Sequence, residues 1–204
     1  MTLTLPLRLD DDAAMAVLAD WLAERGDVRG ELVQLQLARE QAPFDARLAQ
    51  AEARHLAVHA KALLGPLALH QSVCALRWRR GFVVEAALRS ESRDFHWWPR
   101  SGEPVNRLER AARALTRLPR AEALHAVTLS QPWSTFVTRH LFEAVRALRA
   151  GRLPLRRLDV VVSWPEDERW ETAPAMDTVE LEHGPLSLTC DARVVAAVER
   201  ALWG

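Results

Sequence analysis

Residues 73–88, VCALRWRRGFVVEAAL, contain the strand pattern that decides the fold of this chain. Residues 73–78 are apolar except for Arg77, and a second apolar run, interrupted by Glu85, spans 82–88; we interpret the two runs as short β-strands. Between the two runs stand Arg79, Arg80 and Gly81, a polar segment that suits a turn. The stretch therefore predicts a β-hairpin, or one bent strand, in the middle of the chain.

The spacing apolar-x-x-apolar-x-apolar recurs along the chain. We align it at four places, which are Val73/Leu76/Trp78, Leu124/Val127/Leu129, Leu155/Leu158/Val160 and Met176/Val179/Leu181. This register resembles the strand core of leucine-rich repeats, although the intervals between the copies are unequal. Buried strands of an ordinary α/β domain show the same register, so both interpretations stay open.

Helical patterns alternate with these strands. The predicted helices of this part of the chain span 105–118, 134–151 and 191–203, and the further predicted strands span 124–130, 155–162, 178–182 and 186–190. The order strand, helix, strand, helix favours a sheet with helices on one side. We expect residues 71–204 to form a short, irregular α/β body that is leucine-rich-repeat-like.

The first 70 residues are predicted to form a helical cap. The first helix runs from the acidic residues 10–12 to Gly26, and its apolar stripe contains Trp21, which we expect to be buried. A second helix starts near Asp27, and a third spans 45–64. The fold class is therefore α/β (α+β), with a cap over residues 1–70 and a body over 71–204 packed as one unit.

Residues 19–36, ADWLAERGDVRGELVQLQ, resemble the signature of the bacterial repeat-companion domain family, which reads roughly ADWLEERGDPRGEFIRLQ. Residues 78–85, WRRGFVVE, resemble the segment that commonly follows it, ahead of leucine-rich-repeat strands. Ala23 and Val28 stand where the family usually has Glu and Pro. The resemblance implies a helical module on a repeat-type body, and it implies no activity or catalytic residue.

The charged residues of this signature predict a structural role. Asp20, Glu24, Arg25, Asp27 and Arg29 can form caps and salt bridges that hold the corner between the first two helices. We therefore expect the signature to be mainly a folding motif.

Composition excludes several classes of protein. The 204 residues include 27 Lys+Arg and 27 Asp+Glu, so zero net charge argues against coating nucleic acid or an anionic membrane. We find neither an apolar run long enough for a membrane helix nor a signal-peptide pattern, and we expect a cytoplasmic protein. Cys74 and Cys190 are too few for a disulfide scaffold or a CxxC site.

Motifs of catalysis and cofactor binding are missing from the sequence. We find no GxSxG elbow, phosphate-binding loop or GxGxxG turn, so we expect no enzyme, catalytic residue, cofactor or metal. The alternative is a metal-dependent enzyme that uses Glu52, His55 and His59, because this spacing places all three on one side of a helix.

Tryptophans in predicted loops indicate a protein partner. Trp97, Trp98, Trp164 and Trp170 are candidate contact residues, because tryptophan is enriched at binding hot spots. We add Arg77 and Arg79 and predict a non-enzymatic protein–protein interaction module of a bacterial cytoplasmic complex, with an unidentified partner.

The sequence contains two other candidate binding surfaces. A lesser alternative is nucleic-acid binding through the Arg/Trp region 77–100, although the balanced charge argues against it. If the loop tryptophans belong to the core, the concave sheet face becomes the candidate surface, with contacts from Arg77, Arg79, Arg157 and Asp159.

Overall fold

The computed structural model describes residues 8–90, 107–132, 137–163, 178–183, 186–191 and 194–203. Its α-helices are α1 (Asp12–Ala23), α2 (Arg29–Gln41), α3 (Ala46–Val58), α4 (Ala60–Leu64), α5 (Arg107–Leu115), α6 (Val137–Ala150) and α7 (Val195–Trp203). Its strands are β1 (Cys74–Arg79), β2 (Phe82–Arg89), β3 (Ala126–Pro132), β4 (Arg157–Ser163), β5 (Thr178–His183) and β6 (Leu186–Asp191). Two 3₁₀ segments span Gly65–Val73 and Ala121–Ala123.

The strands form one mixed sheet in the order β1-β2-β3-β4-β6-β5. Strands β2, β3, β4 and β6 are parallel, whereas β1 and β5 are antiparallel strands at the two edges. The chain passes through α5 between β2 and β3, and through α6 between β3 and β4. The predicted α/β class with a helical N-terminus is confirmed, and so is the hairpin of β1 and β2.

Of the four predicted copies of the repeat register, two lie on parallel strands of the sheet, as in a leucine-rich repeat. Val127 and Leu158 are neighbours in the parallel sheet, but the copies at Leu76 and Val179 lie on the antiparallel edge strands. The true rows are Ala86/Val127/Leu158/Leu188 and Leu88/Leu129/Val160/Cys190. The prediction failed there because a period of two identifies a buried strand face without giving the direction of the strand.

The main core lies between these rows and the helices of the body. Leu108 and Leu115 of α5, and Leu141 and Leu148 of α6, belong to one cluster with the inner side chains of β2, β3, β4 and β6. The alternate residues of the strands face the other way, where Arg77 keeps 69% and Arg157 51% of its side chain exposed. We call this second surface the open face of the sheet.

The helical cap packs on the hairpin. Met15, Ala19 and Val33 of the first two helices cluster with Phe82, and Leu32 and Leu63 join the core of the body. These contacts connect the cap and the body within the described part of the chain. The boundary at residue 70 stays a prediction.

The prediction that Trp21 is buried is wrong. The buried face of α1 consists of Met15, Ala19 and Leu22, while Trp21 is only half-buried and the Arg25 guanidinium lies 3.9 Å from the centre of its ring. The close crossing of α1 and α2 explains this rotation, because a Cβ on Gly30 would lie only 2.6 Å from the carbonyl oxygen of Ala19. The small residues must therefore face each other, which turns the tryptophan outward.

Within the described ranges, no helix has both the length and the apolar composition required to cross a bilayer.

Candidate functional site

A buried network of polar groups holds the cap against the body. The Arg29 side chain is 7% exposed, and it lies 3.2 Å from Asp27 Oδ1. Its Nη2 donates to the backbone carbonyls of Leu63 and Pro119, at 3.3 and 3.2 Å. Arg29 thus ties the start of α2 to the end of α4 and to the segment after α5, as expected for a folding motif.

A second part of this network joins α2 to the hairpin turn. Gln36 Nε2 donates to Glu52 Oε1 at 2.6 Å, and Gln36 Oε1 accepts from the Gly81 backbone N–H at 2.7 Å. Arg80, buried beside this turn, pairs with Glu40 and Asp12. The two segments that resemble the repeat-companion signature, 19–36 and 78–85, therefore contact each other. We call these groups, Asp27, Arg29, Gln36, Glu52 and Arg80, the junction network; all are buried except Asp27, which is partly exposed.

The metal-site hypothesis on α3 is wrong for the described structure. Gln36 and Arg39 occupy the two oxygens of Glu52, while His55 Nε2 lies 2.8 Å from the Val28 carbonyl oxygen. Among the described residues, no group of three His, Cys, Asp or Glu side chains is arranged to hold a metal ion. The spacing of Glu52, His55 and His59 was suitable, but α3 turns Glu52 and His55 toward α2, where other partners engage them.

The basic residues predicted for nucleic-acid binding are engaged by carboxylates. Arg77 lies 3.1 Å from Glu85, and Arg79 pairs with Asp10 across the start of the cap. The hydrogen bonds that buried Arg80 donates to Glu40 raise the pKa of Arg80, and its hydrogen bond to Asp12 adds to this effect. Arg77, Arg79 and Arg80 therefore do not form a surface of uncompensated positive charge.

The tryptophans predicted as partner contacts lie in segments that the structure does not describe. Trp97, Trp98, Trp164 and Trp170 are outside the described residues, and so are residues 91–100 of the Arg/Trp region 77–100. Their role as partner contacts stays a prediction.

The open face carries a connected row of charges. The carboxylate of Glu85 lies near Arg77 at 3.1 Å, His125 at 3.8 Å and Arg157 at 4.0 Å. Arg157 Nε also lies 3.2 Å from Asp159 Oδ2, which accepts a hydrogen bond from the Thr128 hydroxyl at 3.3 Å. The structure thus brings together Arg77, Arg157 and Asp159, three residues of the alternative surface expected from the sequence.

Small residues surround these charges on the open face. In the row through Glu85, the next positions are Ala126, Arg157 and Ser187. In the adjacent row, Ala87 and Thr128 precede Asp159 and Thr189. Among these short side chains the two arginines remain exposed, whereas Glu85 and Asp159 are partly exposed.

A cleft of about 860 Å³ opens where the parallel strands begin. The amino-terminal segment at Arg8 and Asp10, the segment before β3 at His125 and the segment before β4 at Arg156 line it. Glu85 also lines the cleft, so it is continuous with the charged row of the open face. We call this space the edge cleft.

The two cysteines are poor candidates for catalysis. Burial raises the pKa of the Cys74 thiol to about 12, and Cys190 is buried. Because the thiolate is the reactive form, Cys74 remains protonated and unreactive near neutral pH.

Glu85, Thr128, His125, Arg8 and Arg156 were not among the site residues predicted from the sequence. The alternation of polar residues along β2, β3 and β4 is the signal that could have located Glu85 and Thr128. His125 and Arg156 lie just before β3 and β4, and Arg8 lies before α1, where the period of two gives no information.

Comparisons of the chain with protein-family models, curated proteins and solved structures give no match. The resemblance to the repeat-companion family thus stays a hypothesis based on residues 19–36 and 78–85. The functional interpretation depends on the surface chemistry described above.

Proposed function

We propose that this chain is a non-enzymatic protein-interaction module that binds a partner protein through the open face of its sheet. The observation that carries the proposal is the charged row formed by Arg77, Glu85, Arg157 and Asp159, in which the two arginines are exposed and the two carboxylates are partly exposed. In this proposal the helical cap is a repeat-companion-like structural element, and the partner belongs to a cytoplasmic bacterial complex.

The chemistry of the open face favours recognition. Charges with both signs at fixed positions select a partner with the opposite pattern, and they contribute to specificity and association rate more than to affinity. Arg157 and Arg77 keep most of their side chains exposed, so they can form additional contacts without leaving Glu85. Small neighbouring residues allow the backbone of the partner to approach.

The loop tryptophans extend this proposal as hydrophobic anchors. Strands β2, β3 and β4 are parallel, so their carboxyl ends, near Ser90, Pro132 and Ser163, lie at the same end of the sheet. In the sequence, Trp97 and Trp98 follow the first of these ends, and Trp164 and Trp170 follow the last. We propose that these side chains add apolar contacts at the carboxyl end of the sheet, whereas the charged row lies where β3 and β4 begin.

A charge swap on β4 tests the proposal. The double variant Arg157→Glu/Asp159→Arg keeps the net charge and an ion pair, but it reverses the pattern that a partner meets. The wild-type chain is used to capture proteins from its source organism, and the affinity of the purified partner is then measured for each variant. We expect the swap to weaken binding about tenfold or more, as for a central contact.

A matched control uses Arg54, an exposed arginine on α3 away from the open face. Arg54→Glu should leave the affinity unchanged, because it alters only the overall charge. If the swap binds the partner as well as the wild type does, the open face is not the binding surface.

A further inference from the structure

The edge cleft contains two arginines that have no carboxylate partner in the described structure. Arg8 and Arg156 are exposed and line the cleft, and neither forms an ion pair with a described residue. By contrast, Arg77 and Arg79 on the same lining pair with Glu85 and Asp10.

The carboxylates of the cleft are already engaged. Asp10 pairs with Arg79, and Asp11 accepts a hydrogen bond from the Ala14 backbone N–H at the start of α1. Glu122 lies 3.6 Å from Arg120, which is not part of the lining. Although the lining contains as many carboxylates as guanidinium groups, Arg8 and Arg156 are its guanidinium groups without a carboxylate partner among the described residues.

We infer that the edge cleft binds acidic side chains of an extended segment of the partner protein. The inference rests on the proposed function, because the cleft continues into the charged row through Glu85. Two guanidinium groups across one cleft suit two carboxylates, since each guanidinium can donate two parallel hydrogen bonds to a carboxylate. His125, at the same lining, is a further donor for the segment.

The surrounding charges favour an acidic peptide over a nucleic acid. Asp10, Asp11, Glu85 and Glu122 all line the cleft, and a continuous phosphate backbone would pass close to several of them. Nucleic-acid affinity comes from the neutralisation of many successive phosphates, which two arginines among four carboxylates cannot supply. Isolated carboxylates, spaced along a peptide, can reach the arginines and avoid the other acidic groups.

Binding of short peptides to the full chain tests the inference. The probe is a fluorescent peptide of alternating Glu and Ser, blocked at both ends, and its neutral counterpart has Gln in place of Glu. We expect the acidic peptide to bind and the neutral peptide to bind much more weakly, with a difference that shrinks as salt is added. Fluorescence anisotropy measures both affinities.

Variants of the two arginines locate the binding site. Arg8→Glu and Arg156→Glu should each weaken binding of the acidic peptide about fivefold or more, whereas Arg54→Glu should leave it unchanged. A serine peptide with a free carboxyl terminus and inorganic phosphate serve as competitors. Neither should displace the acidic peptide as well as an unlabelled copy does, because each presents a single anionic group.

Three results would overturn the inference. These are equal affinity for the acidic and neutral peptides, displacement by phosphate at the same concentration as by the peptide, and equal weakening by Arg54→Glu. If partner capture is lost in Arg157→Glu/Asp159→Arg but kept in Arg8→Glu and Arg156→Glu, the cleft is not used and the proposed function stands. Capture that survives in all of these variants would reject both.

Discussion

The junction network and the open face contain the same kinds of side chain, arginines with carboxylates and polar partners, but they differ in exposure. Arg29 has 7% of its side chain exposed, whereas Arg157 has 51%. Arg29 is held by a carboxylate and two backbone carbonyls from distant segments, while Arg157 lies beside Asp159 of its own strand and Glu85 of β2.

Because of this difference in exposure, we expect the junction network to contribute to stability and the open face to contribute to recognition. Removing one partner of a buried charged network leaves other polar groups without hydrogen bonds, which costs about 3–5 kcal/mol. An exposed ion pair contributes only about 0–1 kcal/mol, because water screens it and its side chains lose entropy. The junction network therefore has a structural role, and the charges of the open face are available to a partner.

The largest expected effect comes from Arg29→Met, which keeps the aliphatic volume and removes the charge. Asp27 and the carbonyls of Leu63 and Pro119 would lose their donor, so the free energy of unfolding should fall by about 3–5 kcal/mol. Urea unfolding measures this change. Arg25→Ala, at an exposed residue just after the end of α1, is the control, and equal losses in the two variants would contradict the role of the junction network.

The second prediction compares the cost of alanine substitution at two glycines of the signature, Gly30 and Gly26. A Cβ on Gly30 would lie 2.6 and 2.7 Å from backbone atoms of α1, so Gly30→Ala must push the two helices apart, at a cost of about 3 kcal/mol. Gly26 has open space around it and a φ of +69°, so Gly26→Ala should cost only about 1–2 kcal/mol of backbone strain. Thermal unfolding of both variants checks this order, and the reverse order would show that the helices do not cross as described.

Trp21→Ala should have a smaller effect than a fully buried tryptophan would predict. The ring is half-buried under the Arg25 guanidinium, so we expect a loss of about 1–2 kcal/mol in unfolding free energy. Chemical denaturation measures the loss. A value near 4 kcal/mol would mean that the ring belongs to the core after all.

The smallest effect on stability is expected on the open face. Arg157→Ala removes an exposed side chain that lies 3.2 Å from Asp159, and the free energy of unfolding should change by less than about 1 kcal/mol. The same variant should still weaken partner binding, since its contact is completed only in the complex. A large loss of stability would remove the distinction between the two networks.

Much of the fold could be predicted from the sequence. The hairpin, the helices of the body and the mixed α/β class follow from periods of 2.0 and 3.6 residues, which report locally which side of an element is apolar. The same reasoning placed Arg77, Arg157 and Asp159 on one sheet face. It could not choose between the edge strands and the parallel strands for the repeat register, because the period is independent of strand direction.

The sequence by itself determined the type of each element and the apolar side of most of them, because these depend on near neighbours in the chain. Only the tertiary structure decided that Glu52 and His55 face inward and that Trp21 turns outward. For Glu52 and His55 the physical reason is that their burial is stabilised by polar partners that are distant in sequence. For Trp21 the reason is the close approach of α1 and α2 at Gly30. Gln36 meets the Gly81 backbone 45 residues away, and Arg29 meets Pro119 across 90 residues.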